Sequence, residues 1–187
     1  MLKLDVAAHR IVGYLTLPPD SNGRHAMPQD VRSSPDGRVF FVADMVDNGV
    51  HLLDPETFRL IGFIATGKGA HGLNPSRDGR LLYVANRGWN VVPGGRHGPG
   101  SVSVLDPVAR RVIATWPVPG GGSPDMGNVS ADGRELWLSG RYDYEVYVFD
   151  TATGRLTHRI KVPRGPHGLT VWPQPGRYSL GHTGNMR

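Results

Sequence analysis

The stretch Ser34-Pro35-Asp36-Gly37-Arg38-Val39-Phe40-Phe41-Val42-Ala43 joins a polar turn directly to a short apolar run. The same kind of turn recurs at residues 76–80, 130–134 and, in a weaker form, 174–177. The turn glycines at 37, 79, 133 and 176 are 42, 54 and 43 residues apart, and the long interval holds an insertion rich in Gly, Pro and Arg. This recurrence indicates an internal repeat of about 42 residues.

Each repeat carries the signals of four short strands. The first follows the turn, the second ends in Asp, the third comes after a short turn, and the fourth precedes the next Gly-Arg turn. The predicted strands are, in that order, 39–43, 81–85, 135–139 and 178–180; 50–54, 102–106 and 146–150; 59–64, 111–116 and 155–160; and 71–73, 126–129 and 167–171. No segment shows a sustained helical period. Four strands per repeat predict an all-β propeller of four-stranded antiparallel blades.

The phase of the repeat splits the first and last blades. The predicted single domain, 1–187, divides into a half blade at 1–17, blades at 24–64, 70–117 and 124–162, and a half blade at 166–183. These make four blade equivalents, with unpaired edges at the two halves. Three arrangements stay open: a closed four-bladed ring, a homodimer that completes an eight-bladed ring, or the C-terminal half of a longer propeller.

Composition excludes several classes of site and partner. The 187 residues include 26 Gly and 16 Pro but no Cys, which excludes disulfides, Cys-ligated zinc and Cys-held iron–sulfur clusters. We expect no membrane span, because no stretch approaches the roughly 20 apolar residues required. The net charge of +5 comes from scattered basic residues, so we expect no nucleic-acid partner. Without a signal peptide, the chain as written is expected to be cytoplasmic.

The sequences of the repeats resemble those of the YVTN family of β-propeller repeat proteins. The residues that carry this resemblance are Ser-Pro-Asp-Gly-Arg-Val-Phe-Phe-Val-Ala-Asp at 34–44, Ser-Arg-Asp-Gly-Arg-Leu-Leu-Tyr-Val-Ala-Asn at 76–86, and the later Leu-Asp-Pro and His-Gly steps. The resemblance implies seven or eight blades in a longer, often exported chain, and hence an extracytoplasmic location if this chain is a fragment. Relatives by fold include lactonase-like propellers and the haem-binding propeller of a nitrite reductase.

Four polar residues occupy one position of the repeat, at the start of the strand nearest the channel. Gln29, His71 and Asp125 each lie eight residues before a turn glycine, and His167 joins them if one insertion is allowed. Imidazole and carboxylate groups are common ligands for zinc, copper or iron. His71, His167 and Asp125 are therefore candidate ligands of a divalent metal. The alternative to metal binding is that these residues are polar only because the channel is filled with water.

A second candidate set lies where the next strand ends. Arg87 and Arg141 directly follow their strands, and His182 lies at the corresponding point of the last repeat. Two arginines at a loop mouth could hold a carboxylate or phosphate. The alternative is that they cap turns and pair with Asp47 or Asp143.

The motifs favour a binding or scaffold protein. Neither a GxSxG elbow nor an HExxH pair occurs. We therefore expect one channel face to be presented to a protein or a small ligand. The alternative is a metal- or cofactor-dependent propeller enzyme, either a lactonase-like hydrolase or a redox protein with an axial His/Asp site.

Overall fold

The computed structural model describes residues 1–91 and 98–172, together with the backbone of 179–180 and 185–186. Over these residues no helix is long and apolar enough to cross a membrane. The described elements are, in chain order, β1 (Leu2–Asp5), β2 (Arg10–Tyr14), β3 (Pro28–Ser33), β4 (Phe40–Asp44), β5 (Gly49–Asp54), β6 (Arg59–Ala65), β7 (Ala70–Pro75), β8 (Leu82–Asn86), β9 (Ser101–Asp106), β10 (Arg111–Pro117), β11 (Pro124–Val129), β12 (Glu135–Gly140), β13 (Glu145–Asp150), β14 (Leu156–Lys161), β15 (Ser179–Leu180) and β16 (Asn185–Met186).

These strands form antiparallel meanders in which each strand pairs with its neighbour in sequence. Blade A contains β3–β6, blade B contains β7–β10 and blade C contains β11–β14. The pairs β1–β2 and β15–β16 are two-stranded. The innermost strand of blade B, β7, lies between β3 and β11. The predicted all-β propeller is confirmed, with complete blades flanked by half blades.

The repeated turn forms through side-chain bonds that the sequence encodes locally. Ser34 Oγ donates to Asp36 Oδ1 (2.6 Å), which also accepts from the amide of Arg38 (3.1 Å). Ser34 Oγ in turn accepts from the amide of Val39 (3.0 Å). Gly37 has φ 71°, in the left-handed region that favours glycine. The Ser34 hydroxyl and the Arg38 amide lower the pKa of Asp36.

The apolar core lies between neighbouring blades. Phe41 and Leu52 of blade A belong to one buried cluster with Leu73 and Val84 of blade B. A second buried cluster joins blades B and C, and its members include Tyr83, Val104, Leu138 and Phe149. The strands of the middle blade are covered on both faces, which is why their sequences are apolar runs without alternation.

One predicted strand is wrong. Residues 167–171 have no regular strand structure, and β15 pairs with β16 instead of with them. The local sequence at its entry does not explain this difference, because Gly69, with φ 76°, directly precedes β7 and both β3 and β11 begin at a proline. Elsewhere the predicted strand limits differ by a few residues at most, as at β4, which begins at Phe40 and not Val39.

Candidate functional site

Strand register brings the predicted site residues to one face of the propeller. Ala70 at the start of β7 pairs with Asn86 at the end of β8, and Pro124 pairs with Gly140 in the same way. We call the face at which β7 begins and β8 ends the entry face. His71 and Asp125 come one residue after these inner-strand starts, and Arg87 and Arg141 come one residue after the strand ends. The two predicted sets therefore share the entry face.

The structure brings His71, Asp125 and His167 together, and we call them the His–Asp–His cluster. One ligand atom from each of the three lies within 4.8 Å of the other two. His71 Nδ1 lies 2.6 Å from Asp125 Oδ1, and the two histidine rings meet edge to face with centroids 5.9 Å apart. His71 and Asp125 are buried, at 2% and 0% exposure, whereas His167 is exposed.

The buried polar atoms of this cluster are not satisfied by hydrogen bonds. Within the described residues, His71 Nδ1 and both carboxylate oxygens of Asp125 have no hydrogen-bond partner, although His71 Nδ1 lies 2.6 Å from Asp125 Oδ1. Leaving a buried charged group without partners is costly, and such groups in native proteins are paired or bind metals. The cluster therefore has the donor set and the unmet bonding capacity of a cation site.

A glycine permits the contact between His71 and Asp125. A Cβ at Gly72 would lie 2.4 Å from the carbonyl oxygen of Asp125 and 3.2 Å from Cα of Met126. Real Cβ atoms do not approach backbone atoms so closely, so β7 and β11 can approach this closely only with glycine at position 72. Close packing of β7 against β11 thus explains why glycine follows histidine at this position.

His167 is held beside blade C through its backbone. Ser139 Oγ, which is buried, accepts from the amide of Met126 (3.3 Å) and lies 2.9 Å from the Met126 carbonyl oxygen. The same hydroxyl contacts the carbonyl oxygen of His167. Ser139 therefore links the inner strand of blade C to the exposed histidine of the cluster.

Arg87 is buried at the entry face, at 4% exposure. Its Nη1 lies 3.2 Å from Met45 Sδ, its Nη2 donates to the hydroxyl of Tyr142, and its guanidinium carbon is 4.7 Å from the centre of the Tyr142 ring. Arg141 is half-buried and lies 5.7 Å from the same ring. The predicted alternative of ion pairs with Asp47 or Asp143 is not found for either arginine in the described part of the chain.

The loop before β11 connects Arg87 to blade C. Ser123 Oγ donates to the carbonyl oxygen of Arg87 (2.9 Å), and the Ser123 amide donates to Asp143 Oδ2 (2.7 Å). Tyr147 also donates to Asp143 Oδ2 (2.7 Å). Burial, followed by the bond to Asp143, raises the pKa of Tyr147. These bonds hold the backbone at Ser123 between Arg87 and Asp143.

The other predicted residues do not join the cluster. Gln29 is half-buried, and its side-chain amide turns back to donate to the carbonyl oxygen of Met27 (3.1 Å). His182 lies outside the described residues. The sequence interpretation also missed Met45 and Tyr142, the neighbours of Arg87. The available signal was position, because Met45 follows β4 as Arg87 follows β8, and Tyr142 comes two residues after β12.

A second buried Asp–His pair was also missed. His51 Nε2 lies 3.3 Å from Asp44 Oδ2 and 3.8 Å from Asp47 Oδ2. Asp44 Oδ1 accepts from the amides of Met27 (3.1 Å), Val46 (2.9 Å) and Asp47 (3.1 Å). Burial raises the pKa of Asp44, but the bonds from His51 and from these amides outweigh burial and hold it below its usual value. This pair secures the turn after β4.

Residues 27–175 match the family described as YNCE-like beta-propeller. The chain belongs to the YNCE-like β-propeller family. No curated protein matches this member of the family. Among solved structures, it is similar to hydrazine synthase of Kuenenia stuttgartiensis, with 25% identity and a TM-score of 0.63. The match covers 84% of this chain and 43% of that one, so this YNCE-like propeller spans less than half the length of its structural relative.

Proposed function

We propose that this YNCE-like propeller is a binding protein that holds a divalent transition-metal ion at the His–Asp–His cluster. The observation that carries the proposal is the buried Asp125 carboxylate, which touches His71 and accepts no hydrogen bond within the described residues. Two imidazoles and one carboxylate form a ligand set typical of zinc and related metals. Three protein ligands leave room in the coordination sphere for a small ligand from the entry face.

The spacing of His71 and Asp125, two of the three ligands, is close to what such an ion needs. Two ligand atoms on a tetrahedral zinc, at bonds of about 2.0–2.1 Å, lie roughly 3.3 Å apart. His71 Nδ1 and Asp125 Oδ1 are 2.6 Å apart. Binding through these atoms would widen the contact by about 0.7 Å, which side-chain rotation can supply. His167, being exposed, can turn toward the ion without disturbing the core.

Cobalt titration tests the proposal. Metal-free protein is titrated with Co²⁺, and visible absorption and calorimetry report coordination and stoichiometry. We expect one Co²⁺ per chain, with affinity falling at least about 100-fold in His71→Ala and in Asp125→Asn, because each removes a direct ligand. His158→Ala is the matched control, since this histidine is exposed on β14, and it should bind like the unsubstituted protein.

Two results would overturn the proposal. The first is absence of stoichiometric Co²⁺ and Zn²⁺ binding by the folded protein. The second is unchanged affinity in both His71→Ala and Asp125→Asn, which would place any bound ion elsewhere. Circular dichroism on each variant checks that the sheet structure is retained.

A further inference from the structure

The geometry points to a second element of the same site: Arg87 binds the carboxylate of a small ligand whose other end reaches the metal. This inference rests on the proposed metal site and names the class of ligand that the entry face takes. It is carried by the position of Arg87 and by its unbalanced charge, which are independent of the donor set of the His–Asp–His cluster.

Arg87 lies where the blades converge. It belongs to the loop after β8 of blade B, yet its guanidinium contacts Met45, which follows β4 of blade A, and Tyr142, which follows β12 of blade C. Blade B separates blades A and C, so one side chain reaches both only near the central channel, where the blades come together. The guanidinium therefore lies toward the channel at the entry face.

The backbone on both sides of Arg87 leads to the cluster. The residue before it, Asn86, pairs with Ala70, which directly precedes His71. The carbonyl of Arg87 accepts from Ser123, two residues before Asp125. The backbone contacts of Asn86 and Arg87 therefore lie within two residues of His71 and Asp125, two of the three proposed metal ligands.

The positive charge of Arg87 has no acidic partner in the described part of the chain. Its contacts are a thioether, a phenol hydroxyl and an aromatic ring, and its Nε has no hydrogen-bond partner there although it is buried. The residues outside the described ranges contain neither Asp nor Glu. A buried charge without a counter-charge is unfavourable, and an anion that pairs with it removes that cost.

The planar guanidinium selects the class of anion. Its parallel N–H groups match the two oxygens of a carboxylate, and the contact with Tyr142 restrains the side chain. Arg141 lies against the same aromatic ring and adds positive potential at the entry face. A dicarboxylate would offer one carboxylate to Arg87 and keep the other for the proposed metal.

Malonate binding to Co²⁺-loaded protein tests the inference. We expect malonate to change the Co²⁺ absorption spectrum and to bind at least about tenfold more weakly to Arg87→Gln, because a charge-assisted bond is lost. The malonate affinity of Arg87→Lys should lie between those of the unsubstituted protein and Arg87→Gln, since lysine keeps the charge but lacks the planar guanidinium. Arg38→Gln, at an exposed turn, should match the unsubstituted protein. Inorganic phosphate is titrated in a parallel arm and should bind more weakly than malonate.

The outcomes separate this inference from the metal proposal. Failure to bind Co²⁺ overturns the proposed function. Normal Co²⁺ binding with equal malonate affinity in the unsubstituted protein and Arg87→Gln overturns the role of Arg87 alone. Tighter binding of phosphate than malonate overturns the assignment of a carboxylate. If Arg87→Gln does not fold, Arg87→Lys decides, and unchanged malonate affinity in that variant counts against the inference.

Discussion

Two buried Asp–His pairs lie in the described part of this propeller, and their carboxylates have different surroundings. Asp44 contacts His51 and also accepts three backbone amide bonds. Asp125 contacts His71 and accepts no hydrogen bond within the described residues. Both aspartates have 0% exposure, so burial alone does not distinguish them. The difference teaches that Asp44 is satisfied by its own loop, whereas Asp125 retains bonding capacity for a ligand.

Replacing each aspartate by alanine should give the largest difference, and the quantity that differs is the free energy of unfolding. Asp44→Ala leaves three amides and His51 without their acceptor, and we expect a loss of about 3–5 kcal/mol in the free energy of unfolding. Asp125→Ala, measured without metal, should change stability by less than about 1 kcal/mol, because it removes a carboxylate that accepts no bonds. Urea unfolding in the presence of a chelator measures both. Equal losses would show that the two carboxylates play the same structural role.

The His-Gly steps at 71–72 and 167–168 provide a second contrast. A Cβ at Gly72 would clash with the backbone of β11, whereas a Cβ at Gly168 would have no atom of the described residues within 4 Å. Gly72→Ala should lower stability by about 2 kcal/mol and weaken Co²⁺ binding about tenfold, because β7 and β11 must separate. Gly168→Ala should change neither quantity. If Gly72→Ala binds Co²⁺ normally, close approach of the two inner strands is not needed for the site.

The sequence was sufficient for most of the fold because the repeat is local. The Ser-x-Asp-Gly-Arg turn is closed by bonds within six residues, and its spacing fixed the inner-strand position that His71 and Asp125 share. The same reasoning failed at 167–171, which form no strand in the structure although their sequence carries a strand signal. Strand formation depends on pairing with a neighbouring strand, which a local signal does not specify.

The surroundings of Arg87 could not be derived in this way. Its guanidinium contacts side chains from blades A and C, 42 and 55 residues away in sequence. The Asp44–His51 pair depends likewise on which way two side chains turn within β4 and β5. Side-chain direction at the ends of strands is set by tertiary packing, which a one-dimensional repeat does not specify.

Acid titration should show how much the Asp44–His51 pair contributes to the pH dependence of stability. The pKa of Asp44 is lowered in the folded state, so its charge stabilises the fold above the unfolded pKa near 3.9. That contribution is lost as pH falls through the folded pKa. The decline in unfolding free energy between pH 5 and pH 2 should therefore be shallower in Asp44→Asn than in the unsubstituted protein. Parallel curves would show that the Asp44 contacts do not contribute to acid sensitivity.

The smallest expected effect concerns Gln29, which shares its register with His71 and Asp125. Its amide already bonds to the carbonyl oxygen of Met27, so this polar side chain is satisfied within its own strand. Gln29→Ala should leave Co²⁺ affinity within about twofold of the unsubstituted value, since it removes no ligand. Calorimetry with Asp125→Asn as the positive control measures this. A loss comparable to that of Asp125→Asn would mean that repeat position, and not the lack of hydrogen bonds, identifies the metal ligands.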